Sequence, residues 1–149
     1  MPAMRSLQIL VKQWAAEHVR PLPPVAADTV CATFSRLNTV ATPDVLHLYS
    51  LMGGMENMTN DYWRHWSMDE ILSENRGTSE FGVLFADYLI SSWCYRVKAR
   101  PDNTSAVYVD HFNGVRPCLV ANSLEEFFDQ YLRSAGEALH GHAGAKNDA

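Results

Sequence analysis

The stretch from Ser79 to Asp110 constrains the fold more than any other, because strand-forming side chains concentrate there while helical patterns lie on either side. Phe81 to Ile90 is almost continuously apolar, through Phe81, Val83, Leu84, Phe85, Ala86, Leu89 and Ile90. A short run of this kind predicts a strand buried on both faces, in the centre of a sheet. Asp87 is the one charge inside it. A carboxylate so placed is costly unless paired or hydrogen-bonded, so its partner is expected to be a loop amide or Arg96 on the next strand. Trp93 to Lys98 alternates, with Trp93, Tyr95 and Val97 on one face and Cys94, Arg96 and Lys98 on the other. The turn Arg100-Pro101-Asp102-Asn103 leads into a further strand, Ala106 to Asp110, and the three strands read as a meander.

Helices are predicted before this sheet. Met4 to Val19 carries an apolar stripe of Leu7, Leu10, Val11, Trp14, Ala15 and His18, which suits a helix docked on the domain better than a partner-binding arm. Arg20-Pro21-Leu22-Pro23-Pro24 stops it and acts as a stiff connector. A short helix over Asp28 to Leu37 follows. A second runs from the N-cap Thr42, with Pro43 at its first position, to the stop at Gly53-Gly54. Met55 to Trp66 shows no sustained period, although Tyr62 to Trp66 suits a short strand. Ser67-Met68-Asp69-Glu70 is a capping box and launches a helix ending near Gly77.

Beyond the meander, Asn113-Gly114 signals a type I′ hairpin. The returning strand, Val115 to Val120, contains Pro117 and is therefore expected at an edge or distorted. Ser123-Leu124-Glu125-Glu126 is a second capping box. Its helix is expected to bury Leu124, Phe127, Phe128, Tyr131, Leu132, Ala135 and Leu139, with Asp129 and Arg133 spaced to pair. The expected organisation is a helix and connector over 1–24, one α+β domain over 25–139 with a mainly antiparallel sheet and a C-terminal helix packed on it, and a disordered tail over 140–149.

The order of these motifs resembles the SUKH superfamily: the Thr42-Pro43-Asp44 helix ending in Gly53-Gly54, the Trp66-Ser67-Met68-Asp69-Glu70-Ile71 segment, the FADY strand, the strand ending in YRV, the VYVD strand and the Ser-x-Glu-Glu-Phe helix. The resemblance spans roughly Val30 to Leu132. Many members have a Gly/Asp-rich loop before the central strand, whereas here Asn75-Arg76-Gly77-Thr78-Ser79 holds a single Gly. The family includes yeast regulators of cell-wall synthesis and many bacterial immunity proteins. The resemblance implies a protein-binding module, an immunity protein that neutralises a cognate toxin, often of nuclease type. A regulatory scaffold of the same family is the first alternative, and an unrecognised hydrolase the second.

Composition permits this reading without pointing to it. With 149 residues the chain suits one domain, and its net charge of −5 disfavours nucleic acid and favours basic protein partners. Three cysteines without close spacing, Cys31, Cys94 and Cys118, suit a reducing cytoplasm. No apolar run approaches the roughly 20 residues that span a bilayer, and Lys12, Gln13 and Glu17 break any signal-peptide core. Six histidines are scattered without metal-ligand spacing, and no P-loop, nucleophile elbow or dinucleotide fingerprint is present. A Cys94–His111 pair stays open as a nucleophile, but buried strand cysteines are far more often inert. Neither cofactor nor metal is expected.

The candidate binding residues are therefore those suited to a protein partner. Glu56 and Asp61 lie with Tyr62, Trp63 and Trp66 in the irregular segment before the sheet, combining aromatic anchors with a carboxylate rim. Asp87, Asp102 and Asp110 lie on the sheet and its turns and extend that patch. Some of these aromatics are expected to fill the core instead.

Overall fold

A computed structural model describes residues 4–77 and 79–140. Three helices come first: α1 (Arg5–Ala16), α2 (Ala27–Arg36) and α3 (Pro43–Leu51). A short strand β1 (Trp63–His65) and helix α4 (Met68–Glu74) precede the meander of β2 (Val83–Tyr88), β3 (Trp93–Ala99), β4 (Ser105–Asp110) and β5 (Cys118–Ala121). Helices α5 (Leu124–Arg133) and α6 (Ala135–His140) close the described chain. All five strands form one antiparallel sheet in sequence order, a single α+β domain. The expected tail lies outside the described residues, apart from His140 at the end of α6.

The core is aromatic and centred on Trp63. Its indole contacts Phe85, Tyr95, Phe127, Phe128 and Tyr131, with ring centroids 5.2–6.2 Å apart. Phe127, Phe128 and Tyr131 follow the helical i, i+1, i+4 pattern, which lays one face of α5 on the sheet. Helix α1 packs against α5 through Trp14, edge-on to Phe128 and Tyr131. The N-terminal stripe thus docks, with Leu7, Leu10 and Trp14 buried.

The connector crosses beside Gly53, where a Cβ would stand 2.1 Å from the Pro23 carbonyl oxygen. Only glycine lets the two backbones come so close. Gly82 does the same for the sheet: at φ +92° its Cβ would meet the Val97 carbonyl at 2.1 Å. The chain turns there, so β2 begins at Val83, and Phe81 swings away to pack edge-on against Tyr108.

Several local expectations change. Strand β2 is buried at every position, as its composition predicts, but it ends at Tyr88 rather than Ile90. No two-residue hairpin forms at Asn113-Gly114. The connection from Asp110 to Cys118 runs through 111–117, with positive φ at Phe112 and Gly114. Pro117 has no amide for a ladder partner, so pairing starts only after it. Thr42 stands at the N-cap of α3 without a side-chain bond to a helix amide, its hydroxyl bonding the Asp44 and Ser105 side chains instead. The C-terminal helix breaks at Ser134 into α5 and α6. Asp129 accepts from Ser6 on α1 rather than pairing with Arg133.

Candidate functional site

The sheet face turned away from α5 carries a row of polar groups. Trp63 and Tyr95 point toward α5, so strand alternation sends Arg64, Cys94 and Arg96 to the opposite side. Arg64 lies opposite Asp87, Asp87 opposite Cys94, and Cys94 opposite Asp110, one residue from each of four strands. Directly opposed residues share a face, which makes these four a continuous row.

Asp87 does not pair with Arg96. Its Oδ2 accepts from the Trp66 indole N–H at 2.6 Å, and Arg64 Nη2 lies 3.5 Å away. Arg96 instead reaches from β3 to Asp110 on β4, its Nε donating to Oδ2 at 3.0 Å and its Nη1 to the Gly82 carbonyl at 2.8 Å. Registry decides this: Arg96 stands opposite Tyr108, diagonal to Asp110, where its fork reaches both partners.

Arg64 is held mainly by Glu70, with Nη2–Oε2 at 2.6 Å and Nη1–Oε1 at 3.2 Å, and also donates to the Met55 carbonyl at 2.9 Å. Glu70 simultaneously accepts from the Ser67 amide at 3.0 Å, so the capping box that starts α4 also fixes the arginine. Burial opposes the charge on Glu70, yet the Arg64 and Ser67 hydrogen bonds hold its carboxyl below the usual range. Burial likewise opposes the Arg64 charge, and the Glu70 contact outweighs it, raising the guanidinium further.

Over this network lies a cleft of about 340 Å³ lined by Glu56, Asn57, Met58, Arg64, Asp87, Ile90 and Ser91. One wall is the turn between β2 and β3. Leu89, Ile90 and Ser91 all have left-handed backbone, at φ 46°, 52° and 62°. Such a conformation costs roughly 1–2 kcal/mol per L-residue, and a β-branched residue rarely adopts it. Ile90 recovers little of this by packing, since it is 79% exposed. On the other face of the sheet Tyr62 packs edge-on against Tyr88, Tyr88 stacks on Trp93 at 4.4 Å, and Trp93 touches His111 at 5.0 Å.

Among the residues singled out from the sequence, Glu56 and Asp87 line this cleft, and Trp66 supports Asp87 from beneath. Tyr62 is half exposed on the aromatic row, whereas Trp63 is fully buried in the core. Asp61 accepts from the Tyr131 hydroxyl at 3.4 Å, and Asp110 holds Arg96. Asp102 is apart from all of these. It binds the Thr104 amide and hydroxyl within its own turn and faces a separate hollow with Asp44 and Glu125. Arg64, Glu70 and the 89–91 turn were not legible as site residues. The capping box was visible, but not that its glutamate would also grip an arginine.

The Cys94 thiol is pushed up to about 12 by burial and by the Asp87 carboxylate, the opposite of what a thiolate nucleophile needs. His111 contacts Trp93, on the sheet face opposite Cys94. Among the described residues, no three His, Cys, Asp or Glu side chains stand together as metal ligands, and no helix is long and apolar enough to cross a membrane. In comparison with known proteins, no family model matches the chain and no curated protein matches it.

Proposed function

We propose that this chain is a non-catalytic protein-binding module that engages a basic partner at the cleft and the turn beside it. The observation that carries this reading is the left-handed run Leu89-Ile90-Ser91, which holds an isoleucine out in water with little packing to offset its strain. Backbone strain of this sort persists where the displayed side chain has a use. An exposed aliphatic tip beside a carboxylate cleft supplies the apolar centre and polar rim of a protein interface. The net charge of −5 favours fast association with a positively charged surface.

The resemblance to the SUKH superfamily rests on the order of sequence motifs from the Thr42-Pro43-Asp44 helix to the Ser-x-Glu-Glu-Phe helix. On that basis the module is an immunity protein, and its partner a toxin domain with a basic, nucleic-acid-binding surface, met in the cytoplasm. The test is capture from the native host by immobilised protein, alongside an Ile90→Asp variant, followed by inhibition assays on the captured partner. Retention on the native protein, loss on the variant, and inhibition that saturates at a fixed molar ratio support the reading. Protection at sub-stoichiometric amounts, with turnover, overturns it in favour of an enzyme.

A further inference from the structure

Asp87 is only 3% exposed, yet only one of its two carboxylate oxygens is occupied. Trp66 and Arg64 both approach Oδ2, and no donor among the described residues reaches Oδ1. Oδ1 is therefore an acceptor open to the cleft that Asp87 lines, and a donor entering from that cleft finds it free.

The surrounding charge sets the sign of that group. Arg64 is neutralised by its two-pronged contact with Glu70. Glu56 pairs with Arg20 at 3.0 Å, but both side chains are more than half exposed, and such a pair holds little. The cleft thus presents Asp87 at its floor and Glu56 at its edge to a cation. Met58 and Ile90 provide apolar surface alongside them. About 340 Å³ is at the small end for a ligand pocket, enough for one long side chain and too little for a folded segment.

Building on the protein-binding reading above, the geometry points to the occupant: the guanidinium of one arginine side chain presented by the partner. A planar fork donates in two directions at once, toward Asp87 Oδ1 and toward Glu56, whereas an ammonium is a compact point charge. The methylene stem of an arginine lies on apolar surface while its head reaches the carboxylates, which matches Met58 and Ile90 on the wall.

The probe is N-acetyl-arginine amide, titrated into the full-length protein while the Trp66 indole N–H resonance is followed by NMR and assigned with a Trp66→Phe variant. A saturable shift is expected, absent with the neutral N-acetyl-citrulline amide and weaker with N-acetyl-lysine amide. Glu56→Gln, an exposed change that leaves the core alone, is expected to weaken the arginine probe about tenfold. An unmoved Trp66 resonance, an equal response to citrulline, lysine binding as tightly as arginine, or full affinity in Glu56→Gln each overturns the site. An ignored probe does so even where a partner is captured. A bound probe with no partner captured supports the site and overturns only the protein-binding reading.

Discussion

Trp66 donates its indole N–H to Asp87 across 2.6 Å, both residues almost wholly buried, and this bond lets a carboxylate sit in a strand that is apolar on either side of it. The bond ties the residue before α4 to the centre of the sheet. Trp66→Phe keeps most of the ring volume and removes the donor. It is expected to cost about 1–3 kcal/mol, the penalty for depriving a buried charged acceptor of its partner, read by urea denaturation. A change within about 0.5 kcal/mol would show that Arg64 alone suffices.

Phe128 is fully buried between Trp14 and Trp63, and so joins α1, α5 and the sheet. Phe128→Ala is expected to lower stability by about 3–5 kcal/mol in chemical denaturation. A loss under about 1 kcal/mol would mean that α5 contributes little to the core.

Trp63 was a candidate anchor in the sequence, and its burial leads to a different expectation. Trp63→Ala is expected to lower the melting temperature sharply, with a stability loss of about 3–5 kcal/mol. A variant of native stability that merely released its partner faster would place Trp63 at the interface instead.

His65 is fully buried, donates to the Met52 carbonyl at 3.1 Å and packs edge-on against Tyr49. Burial depresses its pKa to about 4. The unfolded value is about 6.5, so as pH falls the unfolded chain takes up the proton first. Stability is complete above about pH 6.5 and declines toward pH 4, by at most about 1.4 kcal/mol per unit from this residue. His65→Gln keeps a donor for Met52 and cannot titrate. Denaturation midpoints between pH 7 and pH 4.5 should fall less steeply in the variant; parallel curves would contradict the assignment.

At Ile90 stability and binding are expected to move in opposite directions. Ile90→Gly removes the left-handed penalty, partly offset by the chain entropy of glycine, for a net gain of about 0.5–1 kcal/mol. The same change deletes the exposed side chain and should weaken partner capture. A variant that is both less stable and binds normally would show that the turn is neither strained nor used.

Local chemistry determined much of this protein. The apolar run before Tyr88, the alternation from Trp93, the Ser67 capping box and the α5 stripe each depend on neighbours within one or two turns or along one strand, so they are legible from composition and period alone. The α+β class and the meander follow from their order. The ion pairs followed from sheet register: moving Asp87 from Arg96 to Trp66 and Arg64 needed a strand, β1, that the sequence barely marks. Likewise Asn113-Gly114 carries a strong turn signal, but Pro117 and the edge position of β5 prevailed over it. Trp63 and Tyr62 are adjacent and alike in sequence, yet one fills the core and the other meets solvent, because Tyr62 takes a left-handed backbone at φ 70° just before the strand begins. The cleft joins Glu56, Arg64 and Asp87 from three segments, and only tertiary packing brings such distant positions to one place.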